Sequence, residues 1–355
     1  MAANKTSRNG RERQRGMLRR RAWAGLLLGV VGLVAAGIAV HAWHGYTRFK
    51  SEALVGEREL VLVLKPGTGF AGLLGELDKL GLPRAPYWQW RLLERELGVA
   101  KNLKAGEYQL SPQMSAPQIL QLLASGKVVQ HRFTILEGTR FADLRLALAA
   151  NGVLQQTIGG LSDAEILARI GAVESHAEGL FLPETYHFPR GFSDLELLGQ
   201  AYWAMQRELQ SAWDEREAGL PIDDVYSALI LASVVEKESG AIEEQPMVAG
   251  VFVNRLRIGM RLQSDPTVIY GLGDSFDGNL RRVHLRTDNP YNSYTRSGLP
   301  PTPIAMPGPA AIRAVLHPAR TEALYFVARG DGRHQFSRTL QEHNRAVRRY
   351  QLGGG

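Results

Sequence analysis

Read for its alternation of apolar and polar positions, the chain falls into three stretches. Residues 22–40, AWAGLLLGVVGLVAAGIAV, carry no charge and show no amphipathic period. About 20 such residues are what a helix needs to cross a bilayer core. Residues 59 to about 155 alternate between strand-like and helix-like periods. Within them Gly67-Thr68-Gly69-Phe70-Ala71-Gly72-Leu73 is matched by Gly138-Thr139-Arg140-Phe141-Ala142-Asp143-Leu144, and the match extends to Leu77 with Leu148 and Gly81 with Gly152. Each copy follows a strand-like run, VLVLK or HRFTIL. Each predicts a strand, a Gly-Thr turn in which Thr caps a helix, and a helix with one apolar stripe. Between the copies, Ala105–Leu110 reads as a turn into a strand. Ser115–Ser125 reads as a helix with Ile119, Leu122 and Leu123 on one face.

From Ser162 the helical period dominates. Helices are predicted over 163–170, 194–213 and 223–239, and Pro246 opens another with Val248, Val251, Phe252 and Leu256 on its buried side. Glu178–Phe192, EGLFLPETYHFPRGF, reads as an ordered loop in which Glu184 and Tyr186 either face a cleft or pack inward. Residues 260–309 lose the helical period. They predict a long loop, ordered because Tyr270, Tyr291 and Tyr294 argue against disorder. An apolar strand over 324–328, a Gly330-Asp331-Gly332 turn and a return from His334 predict a hairpin, followed by a helix from about Thr339 to Tyr350. The expectation is an α+β fold with these boundaries: a basic tail at 1–21, a single transmembrane helix at 22–41, a linker at 42–58, a small α/β subdomain at 59–155, and a mainly helical domain at 156–350.

Charge sharpens the picture of the amino terminus. Lys5, Arg8, Arg11, Arg13, Arg15, Arg19, Arg20 and Arg21, set against Glu12, account for the whole formal net charge of +7. The remaining chain is neutral, which argues against the basic surface that nucleic-acid binding needs. Arg19, Arg20 and Arg21 abut the apolar run, whereas the far flank holds Arg48, Lys50 and Glu52. The positive-inside rule therefore places the tail in the cytoplasm and the rest outside. A cleaved signal peptide is the alternative; the length of the run and the large residues at Val40-His41-Ala42 count against it. The absence of cysteine rules out disulfides, thiol catalysis and cysteine-based metal sites. The histidines show no HExxH-like spacing, so no metal and no cofactor are expected.

Candidate chemistry centres on LASVVEKESG, Leu231–Gly240. Val225, Leu229 and Ala232 step along one face of the predicted helix, and the next member of the series is Glu236. A carboxyl group thus occupies an apolar slot, while Glu238 points to the opposite side, where charge is cheap. Gly240 is expected as the residue that ends the helix. Burial and the negative end of the helix dipole disfavour the ionised form of Glu236, as a general acid requires. The plain alternative is a glutamate on a solvated helix end. The Asn, Gln, Tyr, Thr and Asp side chains of 260–309 suit a sugar-binding cleft or, equally, a loop that wraps the body.

The segments ALILASVVEKESG, VAGVFVNRLRIGMRLQSDPTVIYGLG, NPYNSYTRSGLPPTPIAMPG and YFVARGDGRHQFSRTLQEHNRAV, with ETYHF, closely resemble the endolytic murein transglycosylases, the YceG-like or MltG family, over most of residues 60–350. The resemblance implies one membrane anchor, a LysM-like subdomain over the duplicated region, and Glu236, first Glu of VEKE, as the catalytic residue. The implied enzyme is a lyase. It breaks the β-1,4 bond between N-acetylmuramic acid and N-acetylglucosamine in nascent strands, with closure of a 1,6-anhydro ring. Gln263, Ser264, Asp265, Thr267 and Tyr270 are then expected to line the cleft. Asn289, Tyr291, Asn292 and Thr295 are expected to position acetamido groups and hydroxyls. Glu184 and Tyr186 complete the candidate substrate-binding set, although each of these residues could instead hold its loop in shape. Asp265 is the main candidate for a second carboxylate. The implied partners are peptidoglycan glycan strands, the membrane and peptidoglycan synthases, with no nucleic acid. The implied location is the bacterial inner membrane with the amino terminus cytoplasmic. A muramidase using water with Asp265 or Glu184, and a non-catalytic glycan-binding scaffold, are the competing readings.

Overall fold

The structure is a computed structural model that describes residues 6–99 and 102–353. Its contacts divide the chain into two compact units, one up to Val129 and one from Gln130.

The first unit opens with α1, Thr6–Ser51, which contains the apolar run. Its segment 25–51 is long and apolar enough to cross a membrane. Residues 1–5 of the expected basic tail lie outside the described residues. The expected linker at 42–58 is instead folded structure. The helix continues to Ser51, and Tyr46 and Phe49 are buried in the same core as Leu62, Leu73, Trp90 and Tyr108. Leu54 and Val55 follow, also buried, with both amides donating to the Met114 carbonyl. Two aromatics in one helical turn give this stretch something to bury, which a linker lacks. Next come β1 (Leu60–Leu64), α2 (Phe70–Lys79), α3 (Tyr87–Leu97), β2 (Gly106–Leu110) and α4 (Ala116–Ser125). β1 and β2 pair antiparallel, with Leu60 opposite Leu110 and Leu64 opposite Gly106. Ser115 and Gln118 form a reciprocal cap at the start of α4.

The second unit contains β3 (Gln130–Thr134), α5 (Phe141–Ala149), α6 (Asp163–Ile170), β4 (Thr185–Pro189), α7 (Asp194–Asp214), α8 (Val225–Glu238), α9 (Gln245–Arg257), α10 (Asp265–Leu272), α11 (Arg282–Arg286), α12 (Pro309–Leu316), β5 (Tyr325–Ala328), β6 (His334–Ser337) and α13 (Leu340–Tyr350). The second copy of the repeat therefore starts this unit instead of completing a subdomain with the first. Its strand β3 pairs antiparallel with β4 from the ETYHF segment, Phe133 opposite Tyr186, so the expected loop at 178–192 holds a strand. Both copies keep the turn glycine in the left-handed region, Gly67 at φ 81° and Gly138 at φ 73°. The threonines do not cap. The caps are Gly69 and Arg140, one residue further on.

α8 is the core helix of this unit, packed against α7, α9, α10 and α12. Every residue from Ala228 to Val235 is buried. It is therefore not the amphipathic helix its spacing suggested; a helix apolar on all sides belongs in the middle of a core. The stretch 260–309 is not all loop either. The SDPTVIYGL segment forms α10, started by Pro266 in its first turn. The hairpin β5–β6 has the expected form, with Tyr325 opposite Ser337.

Two glycines predict opposite responses. Gly75, exposed in α2, has open space where a Cβ would go; Gly75→Ala is expected to stabilise by about 0.5–1 kcal/mol. Gly250 in α9 lies against the 319–321 segment, and an added Cβ would sit 2.5 Å from the Ala319 carbonyl oxygen. Gly250→Ala is expected to cost about 1–3 kcal/mol despite the better helix former. Thermal unfolding of the two variants reads both signs.

Candidate active site

The position of Glu236 follows from the rotation of α8. That rotation is fixed by its buried surfaces, and it places Ser233 and Glu236 on one side, three residues apart. The segment 304–308 runs along that side. The Ile304 amide donates to Ser233 Oγ at 2.9 Å, and the Gly308 amide donates to Glu236 Oε2 at 3.0 Å. The turn of the second repeat copy closes the other flank. Gly138 N donates to the Met306 carbonyl and Met306 N to the Thr139 carbonyl, both at 2.8 Å. Lys237 Nζ donates to the Gly138 carbonyl at 3.1 Å. The helix ends at Ser239, in extended conformation, whose hydroxyl bonds the backbone of Ala241. Gly240, expected as a left-handed terminator, is not one.

Glu236 is half-buried, and burial pushes its carboxyl above the usual range. The Gly308 amide opposes this, the negative charge of Glu137 reinforces it, and Lys237 opposes it. Oε1 accepts no hydrogen bond among the described residues. Glu137 packs directly on Gly308, so closely that a Cβ there would collide with its carboxyl oxygen. Two carboxylates therefore flank one glycine, one bonded to its amide and the other against its α-carbon.

A groove begins beside these groups. One cavity of about 610 Å³ is lined by Gly138, Arg140, Lys237, Ile269 and Tyr270. A second of about 690 Å³ shares Arg140, Asp143, Tyr270 and Asp274 with the first and extends to His176, Glu178 and Tyr291. The rings of Tyr270 and Tyr291 meet edge to face at 4.9 Å. Tyr270 donates to Glu178 Oε2 at 3.0 Å and the Phe141 amide to Oε1 at 2.9 Å. Burial nevertheless raises the Glu178 carboxyl to about 7. With both oxygens engaged, Glu178 braces the groove wall.

The expected site residues separate into groups. Tyr270 and Tyr291 line the groove. Gln263 and Asp265 line another cavity, of about 410 Å³, beside Glu238, Arg255 and Tyr294. Asp265 accepts from the Tyr294 hydroxyl at 2.6 Å, and the carboxyl its charge acts on is Glu238, not Glu236. Gln263 holds φ 51°, a strained value for a residue with a side chain. Glu238 is not on a cheap, solvated face. It is half-buried, and burial raises it to about 7, aided by Asp265. Ser264 and Thr267 are buried around Ser293, whose hydroxyl lies 2.8 Å from that of Thr267. Asn289 accepts from Tyr291 N at 2.8 Å and packs on Gly271. Asn292 is fully buried and donates to the carbonyls of His284, Leu285 and Thr287. Thr295 donates to Asp288 at 2.7 Å. These last five hold the 260–309 segment together. Tyr186 is a core residue whose hydroxyl donates to the Leu182 carbonyl at 2.7 Å, so it packs inward. Glu184 is exposed, one residue before β4 begins, and lines none of these cavities. Glu137 and Glu178 had not been singled out. A signal for Glu137 exists in the repeat: it stands before the Gly-Thr turn, where the first copy has Pro66.

Residues 62–349 match the YceG-like family. A Bacillus subtilis (strain 168) protein named endolytic murein transglycosylase is 32% identical over 270 residues, which are 71% of this chain and 74% of that protein. A Streptococcus pneumoniae (strain D39 / NCTC 7466) protein of the same name is 26% identical over 281 residues, 69% of this chain, and the chain spans 50% of its length. A crystal structure of a yceG-like protein from Listeria monocytogenes is 27% identical with a TM-score of 0.50, and the match covers 81% of this chain and 98% of that one. The chain belongs to the YceG-like family.

Proposed function

We propose that this protein is a membrane-anchored endolytic murein transglycosylase and that Glu236 is its catalytic residue. The observation that carries the reading is a half-buried carboxyl with raised proton affinity, anchored through one oxygen and beside the mouth of a groove. Protonated Glu236 donates to the glycosidic oxygen, and the bond from that oxygen to C1 of the muramyl sugar breaks. The positive charge that develops at C1 is quenched by the C6 oxygen of the same sugar. Glu236, now ionised, takes the C6 hydroxyl proton as the new C1–O6 bond closes a 1,6-anhydro ring. A two-carboxylate glycosidase brings a nucleophile or water to the opposite face. Here the sugar supplies its own nucleophile, so one residue acts first as acid and then as base. The Gly308 amide stabilises the carboxylate in the interval between the two transfers.

The rings of Tyr270 and Tyr291 offer apolar faces for sugar binding in the adjoining groove. In the first unit, the order β1-α2-α3-β2 with an antiparallel pair supports a LysM-like glycan-binding role. The apolar part of α1 supports a single-pass anchor in the inner membrane, with the tail cytoplasmic and the active site outside, where peptidoglycan synthases work. One observation favours a second reading. Glu137 beside Glu236 supplies a second carboxylate that could activate water, which would make the enzyme a muramidase.

Glu236→Gln is expected to lower cleavage of uncrosslinked nascent glycan by at least about 10²–10⁴-fold while leaving thermal unfolding unchanged. Mass spectrometry of the wild-type products is expected to show anhydro-muramyl ends. Reducing muramic ends would support the muramidase, and no cleavage on any glycan would support a scaffold. Because the reactive form of Glu236 is the protonated one, kcat/KM is expected to fall as pH rises through its raised pKa. Glu137→Gln removes a neighbouring negative charge, eases ionisation of Glu236 and so moves that alkaline limb to lower pH. A pH–rate profile that stays in place would separate Glu137 from the site.

A further inference from the structure

The apolar run of α1 ends at Val40, but the helix continues and α3 packs across it. Their close approach is at Gly45, where an added Cβ would lie 3.5 Å from Gln89 Nε2. The Tyr46 ring is 6.2 Å from Trp88 on one side and 6.2 Å from Trp43 on the other. At the far end of α3, Glu96 accepts from the Tyr46 hydroxyl and from Lys50. The first turn of α3 is therefore the part of that helix nearest the end of the apolar run. At 1.5 Å per residue, Gly45 stands about 7.5 Å beyond Val40. The headgroup layer reaches about 5–8 Å beyond the hydrocarbon core on each side.

The side chains at that level are unusual for a water-facing surface. Trp43 is 63% exposed, Tyr87 56% and Trp88 46%, whereas Trp90 on the same helix is 5% exposed. Leu92 continues the exposed face, and Arg84 and Arg91 border it, held by Asp78 and Glu94. Trp and Tyr concentrate where bilayer meets water, because each has an apolar ring and a polar edge. We infer that Trp43, Tyr87 and Trp88 form an aromatic face seated in the headgroup layer of the membrane that α1 crosses, so that the first unit rests on the bilayer instead of hanging from a tether. The inference depends on α1 being a membrane span and is independent of the chemistry at Glu236.

The chain has no cysteine, so single-cysteine variants of the full-length protein can be labelled cleanly. Trp88→Cys, Tyr87→Cys and Val31→Cys, each carrying an environment-sensitive fluorophore, would be reconstituted in phosphatidylethanolamine–phosphatidylglycerol vesicles. The vesicles would contain lipids brominated either near the headgroup end or near the methyl end of the acyl chain. The label at Val31 is expected to be quenched most by the deep bromines. Labels at Trp88 and Tyr87 are expected to lose emission to the shallow bromines and little to the deep ones. Labels at Trp88 and Tyr87 that respond to neither lipid, with Val31 quenched, would overturn the seated face. A Val31 label that is also unquenched would overturn the span itself, and the inference with it.

Discussion

The candidate site depends on the hydrogen bond from the Gly308 amide to Glu236. The bond exists because α8 is buried all round and so cannot rotate. That fixed rotation presents Ser233 and Glu236 in line, and one extended segment bonds both. The repeat turn at Gly138 and Thr139 then clamps the same segment through Met306. Three parts of the sequence converge on one carboxyl, and each is held by backbone groups, whose geometry is less easily disturbed than that of side chains.

The balance at Glu236 is what suits it to proton transfer. Burial favours the neutral acid, while one amide bond favours the carboxylate without reversing the preference. Glu178 shows the other outcome. It is more deeply buried and also raised, but both its oxygens are occupied by Tyr270 and Phe141, so it holds structure instead of exchanging protons with a substrate. Glu238 sits on the other side of the α8 terminus with its own polar cavity. The two glutamates of the EKE motif thus face different environments, as residues two apart on a helix must.

Much of this was legible in the sequence where a local pattern had a local cause. The i, i+4, i+7 series drew attention to Glu236, although the helix proved buried on all sides and not amphipathic, and the Gly-Thr repeat located two left-handed turns. The hairpin and most helices of the second unit also followed from period and punctuation. What was not legible depended on partners distant in sequence. The pairing of β3 with β4 moved the second repeat copy into the other unit. Helix α10 was hidden because DPTVIYGL mixes Pro, Gly and β-branched residues whose helical state is set by packing. Asn292, Thr267 and Tyr186 look like ligand groups by residue type; only their buried hydrogen bonds show that they hold structure. Glu137 was missed because its significance lies in Gly308, which is far away along the chain.

The most direct test is a site-resolved ¹³C NMR titration of the Glu236 carboxyl, assigned by the signal lost in Glu236→Gln. The account predicts a midpoint clearly above the ordinary glutamate value of about 4.3. A midpoint at or below that value would mean the group is ionised throughout the physiological range, and a proton-donating Glu236 would be contradicted.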